Sequence, residues 1–504
     1  MMMKTIDDNP YIDEEVKKVI SQFDTLYTEK DTAGIKNNIK ITKELASNVA
    51  SIVSQIHIYY SIATALGDIL HLEPYNYSEE VLIDQLYNFR MAIDCAESRT
   101  FSTKERPYVA GCLIQLFTNY ANALSSMGRT IEAIRYYKRA LSIHTDFGMA
   151  EGNLGIEYIH YADLDFDKGH SQIFHYVGYK YLKSALKHKR TIVESEAIAY
   201  FQQKIDIFAS EYVQDFLEKD LNLGKYSLGR KKEADYRTWV MNHGLFLNTM
   251  NDLPFTDNFM AADVLHLPSM IMKTANGLNY KHHGLFNQIK QEYITARYLI
   301  FESQQGGTKA HFADKHTDIM DTLDYTIYSI RIEKMKLAFR ALYSLYDKIA
   351  YFINDYFELG IPLNNVTYRK IWCKSAKEML MVKQNLLIYG LFWISKEFFD
   401  KDDGIQVSTK PKAKRIYEIR QALEHKYLKI TDYDMRTSKN DSLAFYVTYQ
   451  EFEKELFDLV HLVRESIIYL SLAVHLNELQ KRAGSPDETY VNMPLFKVED
   501  EWKM

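Results

Sequence analysis

The chain has 504 residues, a formal net charge of −6, 47% hydrophobic and 25% charged residues. That size allows two or three soluble globular domains, and the acidic balance excludes a generally basic nucleic-acid coat while leaving room for a local groove. Three cysteines, Cys95, Cys112 and Cys373, stand far apart with no CxxC pair, which argues against a disulfide framework or a zinc ribbon and fits a reducing cytosol.

The first residues, Met1 to Asp8, lack the apolar core of a signal peptide. The longest apolar runs, around 386–394 and 467–474, are too short to span a bilayer. The expectation is a soluble, cytoplasmic protein with no membrane partner. Only nine prolines and 20 glycines interrupt the chain, so long helices are easily accommodated.

A helical region opens at Asn9-Pro10, and apolar residues recur at three and four over 13–28 and 33–58. A repeat follows. Asn119 to Gly128 leads into Glu132 to Leu141, and 34 residues after Ala121 stands Gly155. This period, with Ala121, Gly128, Ala133, Tyr137 and Ala140 in the small and aromatic positions, resembles the tetratricopeptide repeat, although Thr145 stands where a proline is usual. Weaker units read over 61–93 and around 182–186, the later one carrying an insertion at 162–175. Residues 1–225 therefore read as a tetratricopeptide-like helical repeat domain. The groove of such an array is a candidate site for a peptide or protein partner, and a plain scaffold is the alternative.

A polar stretch over 219–235 marks the boundary to a second domain, 226–485, followed by a tail, 486–504. Helical patterns run over 286–304, 317–359, 368–399, 413–428 and 443–482. No strand-like alternation persists, so the fold class is all-α, with a helical bundle in the C-terminal half. His311, Asp314, His316 and Asp318 have metal-like spacing, but the glycines before them and the helix after them favour a loop and a helix cap. No metal site and no cofactor is expected.

The most basic window of the chain lies at 404–430, where seven Lys/Arg face two Glu for a net charge of +5. It contains Arg420, Gln421 and His425 on a predicted helix, with Gln421 and His425 sharing a face. Arg139 with His144 and Arg237 with His243 are near-copies of the Arg–His pair, so spacing alone does not choose among them. A plain reading also stands: Arg420 pairs with Glu424 along the helix, and His425 merely faces its C-terminus.

An Arg–polar–x3–His pattern before the last long helix of an all-α bundle resembles the HEPN superfamily of ribonucleases. Residues 236–253, 290–298 and 347–356 are similar to a bacterial branch of it carried behind helical repeats. Gln421 departs from the Asn, Asp or His usual after the arginine. The resemblance implies a metal-independent endoribonuclease with Arg420 and His425 catalytic and Gln421 supporting. Lys412, Lys414, Arg415, Lys426 and Tyr427 would then bind RNA. It further implies a homodimer, or a higher even-numbered oligomer, formed through the C-terminal half so that two motifs face each other, products ending in 2′,3′-cyclic phosphate and 5′-OH, and a role in anti-phage defence or as a toxin-like effector. The alternative is a non-catalytic adaptor whose HEPN-like half dimerises or binds nucleotide.

Overall fold

A computed structural model describes residues 8–75, 78–212, 214–273, 279–305, 310–398, 401–402, 405–406, 408–409, 413–434, 443–484 and 490–503. They form two compact units. The first comprises residues 1–162, 172–220 and 396–414, the second 163–171, 221–395 and 415–504. Lys410 and Lys412 of the basic window lie outside the described residues.

The first unit is built from helices α1 (Glu14–Thr28), α2 (Thr32–Ala46), α3 (Ile52–Leu72), α4 (Glu79–Glu97), α5 (Arg106–Ser126), α6 (Thr130–Ile143), α7 (Gly148–Leu164, except its last two residues), α8 (Lys168–Lys187, except its first four residues), α9 (Ser195–Glu211) and the short α10 (Gln214–Glu218). The pairs α1/α2, α3/α4 and α5/α6 pack as consecutive hairpins. The pattern over 33–58 is thus two helices rather than one. Ser51 ends the intervening turn by accepting the Ser54 amide as the α3 N-cap.

The α5/α6 turn shows why glycine is needed there. Gly128 has φ +74°, its amide reaches Ser125 O at 3.0 Å, and the Arg129 amide reaches Leu124 O at 2.9 Å. This pair of bonds closes the last carbonyls of α5 and requires a left-handed residue. In α7 and α8, a Cβ on Gly155 would lie 2.9 Å from the Gly178 carbonyl, so two glycines let the backbones touch. The predicted insertion at 162–175 is absent as such: those residues end α7, turn briefly and begin α8.

Two-residue strands β2 (Lys401–Asp402) and β3 (Ile405–Gln406) also belong to the first unit. Their segment is anchored by a buried charge cluster. Glu397 Oε1 accepts from Arg129 at 2.9 Å and from Arg90. Arg129 also meets Glu132 at 2.5 Å, and Arg90 donates to Tyr120 at 2.6 Å and Thr409 at 2.8 Å. Two guanidinia and two carboxylates balance there, which makes their burial tolerable.

The second unit contains α11 (Lys232–Asn242), α12 (Lys281–Gln304), α13 (Ile330–Tyr356), α14 (Lys374–Met381), α15 (Leu386–Ser395), α16 (Ala413–His425, except its first two residues) and α17 (Tyr449–Gly484). The helix α17 packs against α12, α13 and α15. Its apolar window passes the length and composition of a membrane span, yet 83% of that window is buried inside the protein, as in a core helix. Buried ion pairs fix the bundle: Arg464 with Asp252 at 2.7 Å, and Arg297 with Asp263 at 2.8 Å through both nitrogens. Burial alone would raise the Asp263 carboxyl, but Arg297 outweighs it and holds the group below its ordinary value.

Several predicted boundaries are corrected. The helix expected over 317–359 begins only at Ile330, because Leu323 and Tyr325 are left-handed (φ +55° and +56°). The one over 368–399 is split at Gln384 (φ +49°), after which Asn385 accepts the Leu387 amide and restarts the chain as α15. Helix α12 starts at Lys281, five residues ahead of the expected 286, and so includes His282 and His283. The helix expected over 413–428 stops at His425. Tyr427–Thr431 is β4, paired in parallel with β5 (Ala444–Thr448), which occupies the predicted start of the last helix. Strands β1 (Ile271–Lys273) and β6 (Tyr490–Asn492) pair antiparallel, bringing part of the tail onto the second unit. These small sheets leave the all-α class intact.

Candidate functional site

Helix α16 positions the Arg–His pair. Ile416, Ile419, Ala422 and Leu423 are buried and recur at helical spacing, so one stripe is pinned to the core of the second unit. The opposite side faces out. There Gln421 donates to the Tyr417 hydroxyl at 2.6 Å, one turn away, and His425, the last helical residue, is exposed.

Arg420 flanks that face. Its guanidinium lies over the ring of Tyr343 on α13, 5.6 Å from the centre. Burial pushes the Tyr343 phenol up to about 12 against the opposing pull of Arg420, so the ring is neutral at ordinary pH. Glu424, the partner offered to Arg420 by the plain reading, instead faces Arg340 of α13 at 3.7 Å. Arg340 also donates to the Leu423 carbonyl.

The surrounding basic residues divide. Arg415 is committed to Glu451 at 2.7 Å, and Lys429 is buried against Asp324 at 2.6 Å, so the window's net positive charge is partly cancelled by residues distant in sequence. Lys426 is exposed. The side chain of Lys414 lies outside the described residues, as does Lys412. Tyr427 is 38% exposed and shares a 2.7 Å hydrogen bond with the Tyr328 hydroxyl. Burial and that bond push its phenol up to about 12. Tyr328, Arg340 and Tyr343 adjoin the site without any signal in their local sequence; only the packing of α13 and the strand contact with β4 bring them there.

The two near-copies have other occupations. Arg139 pairs with Glu97 at 2.8 Å and covers the Phe117 ring, while His144 closes the C-terminus of α6. Arg237 pairs with Glu233 at 2.9 Å, and His243 Nδ1 lies 2.8 Å from the Trp239 carbonyl. In the His311 loop, His311 accepts the Ala313 amide and Asp314 accepts the Ile330 amide at the start of α13. Among the described residues no three His, Cys, Asp or Glu side chains gather as a metal site would require.

Residues 275–477 match the family model described as LA2681-like HEPN. That span contains α12 through most of α17, including the whole of α16. No curated protein and no solved structure matches the chain. The C-terminal half therefore carries a HEPN domain, a class associated with nuclease or nucleotide-related function.

Proposed function

We propose that the LA2681-like HEPN domain of this chain is a metal-independent endoribonuclease, with Arg420 and His425 as catalytic residues and Gln421 in support. The observation that carries this reading is α16 itself. Within the family-matched span it exposes His425 at its end and holds Arg420 on a neutral aromatic face. An imidazole can accept or donate a proton through its ring nitrogens, which suits His425 to the ribose 2′-OH or the leaving 5′-oxygen. A guanidinium fork binds two phosphoryl oxygens and stabilises the charge of the pentacoordinate state. Attack of the 2′-oxygen on phosphorus breaks the P–O5′ bond, leaving a 2′,3′-cyclic phosphate and a 5′-OH. DNA lacks the nucleophile.

One histidine supplies a base or an acid, and the reaction needs both. A homodimer with the motifs facing each other supplies the pair. Lys426 and Tyr427 would then contact RNA, Lys412 and Lys414 remain RNA-binding candidates by their charge in the sequence, and Arg415 acts through its pair with Glu451. The repeat unit regulates the site in this reading. Residues 396–414 belong to that unit and continue directly into α16, so a partner bound to the repeats has a covalent route to the motif. A role in anti-phage defence or as a toxin-like effector fits such a triggered cytoplasmic nuclease. The test is RNA incubated with purified protein in EDTA, with end-group analysis of the products. A DNA strand of the same sequence should stay intact.

A further inference from the structure

Helix α16 ends at its most important side chain. The last carbonyls of any helix lack intrahelical donors, and a terminal turn frays unless something holds it. Here the holding group comes from another helix. Arg340 of α13 donates to the Leu423 carbonyl and places its Nε 3.7 Å from Glu424 Oε1, gripping the two residues that immediately precede His425. One turn further along α13, Tyr343 receives the Arg420 guanidinium. A single face of α13 thus contacts Arg420 and the two residues before His425.

We propose that Arg340 is the positioning residue of the site: it clamps the final turn of α16 so that the His425 imidazole is presented in fixed relation to Arg420. This rests on the nuclease reading above. A cation also suits a helix C-terminus electrostatically. The two contacts need a planar group with several donors, which arginine has and lysine lacks. Arg340 acts through α16, so its loss should slow the chemical step and leave RNA affinity in place. A displacement of the imidazole by about 1 Å is enough to cost roughly 100-fold in rate.

The experiment uses the full chain carrying Arg340→Ala or Arg340→Lys. Single-turnover cleavage of a labelled single-stranded RNA is measured, with binding of the same RNA measured in a His425→Ala background. Hydrogen exchange of the peptide spanning 420–427 is followed on each protein. The expected result for Arg340→Ala is cleavage slowed about 10- to 100-fold, binding unchanged, and faster exchange at 423–427, with Arg340→Lys intermediate. Unchanged cleavage overturns the proposal. An equal fold loss in binding and cleavage also overturns it, because Arg340 would then be an RNA ligand. If the unmutated protein cleaves no RNA, the nuclease reading fails by itself. The exchange then decides the clamp: faster exchange in Arg340→Ala upholds it, and unchanged exchange overturns it.

Discussion

Arg420 rests its guanidinium on the ring of Tyr343, 5.6 Å from the centre. A ring face attracts a cation without occupying its N–H donors, so this contact leaves the fork able to take a phosphate. An ion pair with Glu424 would have neutralised it. Arg420→Lys should therefore lower cleavage by about 100-fold or more, since a point charge cannot replace a bidentate donor. Tyr343→Phe should retain most activity, while Tyr343→Ala loses a contact of about 0.5–1 kcal/mol and slows cleavage a few-fold. Single-turnover rates of the three variants check this.

Glu397 is the common acceptor of two buried arginines, Arg90 and Arg129, the latter fully enclosed. Removing one member of such a cluster leaves charge buried without compensation. Glu397→Ala is predicted to destabilise the first unit by about 3–5 kcal/mol, read from urea unfolding by circular dichroism.

Glu157 lies buried in the first unit with Ser125 donating to it at 2.5 Å. Burial raises its carboxyl to about 7, against the hydrogen bonds from Ser125 and Thr130. The folded state then binds the proton more tightly than the unfolded chain. Stability from this group is greatest below the ordinary glutamate value and falls as pH rises from about 4.3 to about 7. Glu157→Gln should remove that slope and stabilise the protein at pH 8 by roughly 2–3 kcal/mol. Melting temperature against pH, for both proteins, is the measurement.

Asp324 shows the opposite sign. Burial would raise its carboxyl, but Lys429, Thr322 and Thr326 hold it well below its ordinary value. Its contribution is present above the unfolded aspartate value and is lost as pH falls through the folded one. Asp324→Asn at neutral pH should loosen the strand contact beside β4. The readout is faster exchange of the Ile327 amide, which donates to the Ile430 carbonyl at 2.8 Å.

Helix α16 was legible because Ile416, Ile419 and Leu423 recur at helical spacing. Strand β4 was not. Leu428, Lys429, Ile430 and Thr431 are all buried, so no alternation exists to read, and Lys429 reads as solvated until Asp324, 105 residues earlier, meets it. The same limit applies to Leu323 and Tyr325, whose left-handed backbone is invisible in residue type. It applies again to residues 396–414, whose return to the first unit depends on Arg90 and Arg129. As for the site, spacing offered three Arg–His pairs. The family resemblance selected Arg420 and His425, and the partners of Arg139 and Arg237 give those two arginines structural work.

The most direct test is cleavage of single-stranded RNA in EDTA by the unmutated chain, Arg420→Ala, His425→Ala and His144→Ala. Cyclic-phosphate and 5′-OH ends are expected from the unmutated and His144→Ala proteins, and intact RNA with the other two. Equal cleavage by His425→Ala, or intact RNA with every protein even when extract from phage-infected cells is added, would contradict that expectation.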